Sequence, residues 1–377
     1  MSRARALLLL ATASCVPHGP APPPSDSGSP GPSGSSVTHA PDAGMTDSAA
    51  MSSNPAGELA GERDCAHGIA DGCNNAAIAY ANGTGVSLDL ARSAALFEKG
   101  CTLGSGTACG NLSYAYSHGQ GVPRDAAKAD SLSERACSLK YGNGCTTIAA
   151  GYEWGTARLA RDLDRALTLY KEGCALGDQE GCVGLGVHYR SGTGVPRDYA
   201  RAKSLFEKAC TAGNPSGCDN LGALYSLGWG VAQDRERAAS YYKQSCQAPT
   251  DPTKGGGSAM GCRDLGLAYL RGRGVPRDPA RAVELFGRAC DAGLGEACGN
   301  LGRMYLKGDG VPQDQHRALD LYRKGAALNG PSAIYGLAEM YERGNELEKD
   351  AVRAKELFEK ACALGITDAC NRNESSK

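Results

Sequence analysis

Sixteen of the seventeen cysteines in this 377-residue chain fall into local pairs, so thiol chemistry is the first possibility the sequence raises. The pairs are Cys65/Cys73, Cys101/Cys109, Cys137/Cys145, Cys174/Cys182, Cys210/Cys218, Cys246/Cys262, Cys290/Cys298 and Cys362/Cys370. Thiols so placed can oxidise to a disulfide, stay reduced in a core, or hold zinc, and zinc sites favour C-x-x-C spacing with recurrent histidines. No C-x-x-C occurs, and the six histidines (His18, His39, His67, His118, His188, His316) stand at unrelated offsets, as isolated surface or packing residues. One copy of the pattern carries Ala326 and Ile334 at the two cysteine positions, so there both sulfurs are missing together, as expected if they bond each other. Eight disulfides are expected, with no metal or cofactor, and staples in that number imply an oxidising compartment.

The elements that must position these pairs repeat with a period of about 36 residues. Taking the second cysteine of each pair as origin, an apolar residue follows at offset 3 (Leu112, Ile148, Leu185, Leu221, Leu265, Leu301), a small one at offset 4, and a tyrosine at offset 7. The tyrosines are Tyr80, Tyr116, Tyr152, Tyr189, Tyr225, Tyr269 and Tyr305, with Tyr341 in the copy lacking cysteine. That spacing marks one face of a helix, here called helix A, and reads the tyrosines as core. Gly83, Gly119, Gly155, Gly192, Gly228, Gly272, Gly308 and Gly344 close it as left-handed caps. A loop of the form G-x-G-V-P-R-D leads to aspartates (Asp89, Asp125, Asp162, Asp198, Asp234, Asp278, Asp314, Asp350) suited to cap a helix B. Its G-x-G, as in Gly192-Thr193-Gly194, follows no strand and separates two helices, which excludes a phosphate loop. A basic residue follows three positions after each aspartate, and then an apolar pair such as Leu205-Phe206. In this frame the first cysteine of each pair ends helix B and the second opens the next helix A.

No copy can bury its apolar face alone, so the units must stack into an all-α, right-handed superhelical solenoid of about eight disulfide-stapled helix pairs. The pattern L-G-x-x-Y, G-x-G-V, D-x-x-[RK]-A, F-x-[KR]-A-C, nearly complete from Leu221 to Cys246 and from Leu265 to Cys290, resembles the Sel-1-like repeat, a relative of the tetratricopeptide repeat. The cysteine pairs make the chain similar, more narrowly, to exported cysteine-rich Sel-1-like proteins such as those of Helicobacter.

The N-terminus fits export. Met1 to Arg5 is short and basic, and Ala6 to Ala13 is apolar but too short to span a bilayer, so residues 1–14 read as a signal peptide. Cys15 after Ala13-Ser14 resembles a bacterial lipoprotein cleavage box, with Thr12 where leucine is usual. Residues 15–61 are rich in Pro, Ser, Gly and Ala and read as a disordered tether from a lipidated Cys15 to a solenoid over 62–377. The expected place is the outer membrane or periplasm, with the cell surface or secretion as further possibilities.

The resemblance implies two functions of different class. One is a protein-interaction scaffold of the bacterial envelope, monomeric, with an unidentified protein or peptide in its concave groove. The other is penicillin binding or β-lactam hydrolysis, an activity assigned to some Helicobacter relatives. A serine enzyme of that type needs S-x-x-K with S-D-N and K-T-G companions. Ser240-Tyr241-Tyr242-Lys243 matches the first, but its tyrosines hold the ordinary apolar-pair position and neither companion exists. The net charge of -1, with bases and acids interleaved, gives no nucleic-acid footprint. A third reading is a secreted ligand of host or competitor cells.

Alignment with the tetratricopeptide frame implies groove positions at offsets 1, 5, 8 and 9, which vary from copy to copy. Offset 9 holds Trp154 in the third copy and Arg271, Lys307 and Arg343 in the last three; Arg190 stands at offset 8 and Arg303 at offset 5. The basic strip reads either as a solvated face offset by Glu339 and Glu342, or as a groove for an acidic peptide. Gln247 to Gly261, longer than the other corners and rich in Pro and Gly, is expected to project as a loop.

Overall fold

A computed structural model describes residues 59–156, 158–247 and 258–374. Cys15, the signal and tether segments and most of the Gln247 to Gly261 loop lie outside the described residues. Within them every regular element is helical, and consecutive helices pack as neighbours. The helices are α1 (Ala60–Ala66), α2 (Ala70–Asn82), α3 (Leu90–Thr102), α4 (Gly106–His118), α5 (Ala126–Ser138), α6 (Gly142–Trp154), α7 (Leu163–Ala175), α8 (Gln179–Ser191) and α9 (Tyr199–Thr211). They continue with α10 (Pro215–Leu227), α11 (Arg235–Gln247), α12 (Ala259–Arg271), α13 (Pro279–Asp291), α14 (Gly295–Lys307), α15 (Gln315–Ala327), α16 (Pro331–Arg343), α17 (Ala351–Ala363) and α18 (Thr367–Glu374). Helices α2 to α17 form eight A–B pairs, and helices A also touch across the repeat, as α6 with α8 and α14 with α16.

Each A–B loop is closed by three linked contacts. The capping aspartate accepts a hydrogen bond from the backbone N–H three residues on, at 2.9–3.0 Å in all eight copies. Its own N–H donates to the carbonyl of the helix A tyrosine at 2.8–3.1 Å. The basic side chain that starts helix B then lies over that tyrosine's ring, from 4.2 Å for Lys128 on Tyr116 to 5.6 Å for Arg237 on Tyr225. All eight copies repeat this cation–π contact. The tyrosines are therefore boundary residues as much as core. Tyr80, Tyr152 and Tyr225 are buried, and the other five are half-buried, each under its cation.

Seven of the eight predicted glycine caps are left-handed. The exception is Gly155 (φ 80°, ψ 142°), because the third loop carries one residue more between its tyrosine and its aspartate. That loop folds on itself through Thr156 N–H to the Leu159 carbonyl at 2.9 Å, and tucks Leu159 into the core.

Helix A reaches helix B through its small residue at offset 4. A methyl added at Gly222 would stand 2.5 Å from Tyr242 Cε1, and one at Gly186 would stand 2.6 Å from Phe206 Cε1. Tyr242 is thus the second member of an ordinary apolar pair, buried against Gly222.

The sixteen paired cysteines form eight disulfides in the expected pairing, with Cα atoms 4.4–4.8 Å apart. Cys65 bonds Cys73, Cys101 bonds Cys109, Cys137 bonds Cys145 and Cys174 bonds Cys182. Further along, Cys210 bonds Cys218, Cys246 bonds Cys262, Cys290 bonds Cys298 and Cys362 bonds Cys370. The placement of the second cysteine differs from the expectation that it opens helix A. Cys73, Cys109, Cys145, Cys182, Cys218, Cys262, Cys298 and Cys370 each stand one turn inside their helix, after the residues that enter it, as Cys73 follows Ala70-Asp71-Gly72 in α2. As the fourth residue of its helix, this cysteine stands at a Cα–Cα distance of 4.4–4.8 Å from the end of the preceding helix B, which a disulfide spans. The position also makes these sulfurs core rather than an accessible thiol site: Cys73, Cys182, Cys218 and Cys298 are all buried, and so are their partners Cys65, Cys174, Cys210 and Cys290. Where Ala326 and Ile334 replace the pair, Ile334 fills the corner with no exposed surface. No described helix is long and apolar enough to cross a membrane.

Candidate functional site

The helix A residues implied as groove-lining fall into four settings. Trp154 is half exposed at the end of α6, and Leu227 holds the same register, equally exposed, on α10. Arg190 is partly buried between repeats: its Nη1 donates to Asn220 Oδ1 at 2.6 Å, and its guanidinium lies 6.0 Å from the Trp229 ring. Burial pushes the Arg190 guanidinium below its ordinary value. Arg343 is paired with Glu339 at 3.2 Å, and Arg372 shares Glu339 and also contacts Glu342. The last member of the predicted basic strip is thus neutralised by the acids that the sequence places beside it.

Arg271, Arg303 and Lys307 are different. Among the described residues no carboxylate lies within ion-pair distance of any of them. Arg271 lines a cleft of about 260 Å³ between α10, α11 and α12, and two arginines outside the tetratricopeptide frame, Arg235 and Arg273, line it with Arg271. The cleft floor is apolar, with Ala238 and Ala239 buried. Burial, and then Arg273 and Arg303, push Arg271 below its ordinary value, as expected of a cation among cations. Arg303 Nη2 donates to Asn300 Oδ1 at 3.3 Å. The one acid on the cleft, Asp264, is held by Arg263 at 2.7 Å.

Two buried polar clusters connect repeats. Glu153 on α6 accepts from the Tyr170 hydroxyl at 2.7 Å and faces His188 Nε2 at 3.5 Å, while His188 Nδ1 meets the Thr193 carbonyl at 3.0 Å. At position 188 the histidine is thus an inter-repeat strut; its counterpart lies 35 residues back, one repeat away, a spacing that could have revealed it. In the second cluster, Asp219 on α10 accepts from Ser258 Oγ at 2.7 Å, beside the buried Ser245. Asp219 Oδ1 and Ser245 Oγ pack against Gly261, and neither completes a hydrogen bond. Burial raises the Asp219 carboxyl to about 6.

These clusters set a pH dependence. A folded-state value raised above the unfolded one contributes stability at low pH that is lost as pH rises through the folded value. Asp219 is raised from 3.8 to about 6, and His188 is raised above 6.5, where the Glu153 and Thr193 contacts outweigh burial. Both act in the same direction between pH 5 and 8. Glu153 is lowered and acts only below its ordinary 4.5. The urea midpoint is expected to fall from pH 5 to pH 8, and Asp219→Asn to remove the part of that fall lying below about pH 6. An unchanged slope in the variant would refute this assignment.

Ser240 and Lys243, the S-x-x-K match, are both exposed on α11, with Tyr242 between them buried in the core. The arrangement supplies packing and displays no serine held against a general base among its described contacts.

A stack of disulfide-stapled helix pairs with recurrent joints and a register that varies from copy to copy defines an α-solenoid repeat scaffold. The Sel1 repeat profile matches residues 70–105, 106–141, 148–178, 179–214, 215–249, 259–294, 295–330 and 331–366, and the chain belongs to this family. Among solved structures it is similar to c5321, a protective antigen present in uropathogenic Escherichia coli strains (25% identity, TM-score 0.57), over 84% of this chain and 66% of that one. A Sel1 repeat protein from Oxalobacter formigenes shares the fold at 23% identity and TM-score 0.53, over 84% and 89% of the two chains. Helicobacter pylori cysteine rich protein B is 32% identical over 35% of this chain and 93% of its own, with TM-score 0.29. No curated protein matches the chain.

Proposed function

We propose that this protein is a non-enzymatic, protein-binding solenoid of the bacterial cell envelope, monomeric, and tethered through a lipid on Cys15. The observation that carries the binding reading is the division of labour within each repeat. The cap, the tyrosine–cation contact and the disulfide recur in nearly every copy. The positions between them, such as Trp154, Leu227 and Arg271, differ from copy to copy and stand open. Eight disulfides support an oxidising, extracytoplasmic setting, and the basic-apolar start followed by Cys15 supports the anchor. The similar Escherichia coli protein is a protective antigen by its description, which agrees with display outside the cytoplasm.

The test is photo-crosslinking in cells from residues 154 and 227, with residue 240 on α11, a helix B, as comparison. Defined adducts from the first two and none from the third are expected. Equal labelling from all three, or turnover of a chromogenic cephalosporin by the oxidised protein, would overturn the reading. Globomycin-sensitive processing and loss of membrane association in Cys15→Ser would check the anchor.

A further inference from the structure

The cleft between the fifth and sixth repeats differs in kind from the equivalent positions in neighbouring repeats. In five of the A–B loops the second glycine (Gly121, Gly194, Gly230, Gly274 or Gly310) rests on the start of the preceding helix B; at Gly274 an added methyl would stand 1.9 Å from the Arg235 carbonyl oxygen, so the loop sits directly on α11. This contact brings together the residue between the two loop glycines and the first residue of the earlier helix B. One repeat earlier those residues are Trp229 and Tyr199, whose rings stack at 6.2 Å and 19°. One repeat later they are Asp309 and Pro279, with Asp309 held by Arg277 at 3.0 Å. Between repeats five and six they are Arg273 and Arg235.

Two cations therefore occupy a register filled in the two adjacent repeats by an aromatic stack or an ion-paired aspartate, and Arg271 adds a third at the same cleft. Like charges on apolar walls repel each other, and an incoming anion relieves that repulsion while accepting forked guanidinium hydrogen bonds. The volume is that of a side chain rather than a helix groove, its floor is methyl and methylene carbon, and Leu227 and Leu267 flank it. An anion with an aliphatic neighbour fits such walls better than a bare phosphate. The chain's net charge of -1 also separates this local cluster from the extended basic surface that nucleic acids require.

We infer that this cleft binds an acidic peptide segment of a partner protein, with carboxylates on Arg235, Arg271 and Arg273 and an aliphatic side chain on the alanine floor; this rests on the interaction reading above and specifies its partner chemistry. Full-length oxidised protein would be applied to an array of random decapeptides. Enrichment of Asp and Glu beside Leu, Ile or Val is expected, with at least about ten-fold weaker binding of the selected peptides by Arg235→Glu/Arg273→Glu. Replacing the peptide Glu by Gln is expected to have the same effect, and Lys99→Glu on the distant α3 to have none. If charge reversal disturbs folding, Arg235→Gln/Arg273→Gln supplies the same comparison with intact helicity as control.

No acidic enrichment, equal binding by the variants, or binding of polyphosphate or phosphatidylglycerol vesicles in place of peptides would overturn the inference. Adducts from residue 227 that persist in the charge-reversed variant would show the interaction surface standing while this chemistry fails.

Discussion

Reduction of the eight disulfides is expected to unfold the repeat region at temperatures where the oxidised protein is intact. Each staple except one closes a loop with a sequence separation of 8, which by the loop-entropy estimate stabilises by about 2–3 kcal/mol; Cys246–Cys262, separation 16, gives about 3 kcal/mol. Together these contributions exceed the whole net stability of an ordinary domain, about 5–15 kcal/mol. The core has little to replace them with, since the 377 residues hold only 4 Phe and 2 Trp and rely on Leu, Ala and Tyr for packing. Access should order the reduction. Cys362 and Cys370 are partly exposed in the last corner, whereas both sulfurs of Cys101–Cys109 are buried, so the C-terminal staple is expected to reduce first. Urea unfolding by circular dichroism at increasing dithiothreitol, with alkylation and peptide mapping, reads both the loss and its order. A Cys210→Ala/Cys218→Ala variant isolates one staple and should lose about 2–3 kcal/mol. A fully reduced protein that keeps the oxidised urea midpoint would show that stacking alone holds the repeats.

Helix ends are legible in the sequence because their chemistry is positional. Asp198 can cap only where it precedes α9, and Gly192 is placed where a Cβ is costly, so residue type and offset together mark both boundaries. The cysteine pairing is legible for the same reason: a pair that disappears together at Ala326 and Ile334 constrains its own geometry. The depth of Cys73, Cys182, Cys218 and Cys298 within helix A is less so, because the start of helix A is marked unevenly: Asp178 and Asn214 cap α8 and α10, whereas Ile69 and Leu294 precede α2 and α14 with no side-chain cap. Gly155 departs from its copies because one extra loop residue changes the backbone path, and a register that counts from the cysteine does not detect an insertion after the tyrosine.

The cation over each tyrosine is hidden in the sequence although both residues recur in it, because the contact exists only when the loop folds helix B back over helix A. The recurrent spacing of twelve residues, Tyr189 to Arg201 or Tyr225 to Arg237, is the available signal. The basic cleft is half visible. Arg271 lies on helix A within the groove register, but Arg235 and Arg273 occupy a helix start and a loop, outside a frame borrowed from helix A alone. Their proximity is a property of stacking between repeats, and reading it from sequence requires pairing a residue with the repeat before its own.

Phe206→Ala is expected to divide the solenoid into two parts that unfold separately. Phe206 has no exposed surface and packs in one cluster with Val183 on α8, Ala202 and Ala209 on its own helix, and Leu221 and Leu224 on α10, so it joins the fourth repeat to the fifth. Truncating a buried phenylalanine costs about 3–5 kcal/mol, and Gly186, on which the ring rests, has no side chain to fill the space. In a stacked array each repeat touches only its neighbours, so cooperativity is carried by such interfaces and a local lesion lowers coupling as well as stability. The chain contains its own reporters: its two tryptophans, Trp154 and Trp229, stand on either side of Phe206 in sequence and in the stack. In single-tryptophan proteins made with Trp229→Phe or Trp154→Phe, fluorescence transitions in urea should coincide without the lesion. With Phe206→Ala they should separate. Coincident transitions and a loss below about 1 kcal/mol would mean that the disulfide corners, and not the aromatic–glycine contacts, carry the coupling between repeats.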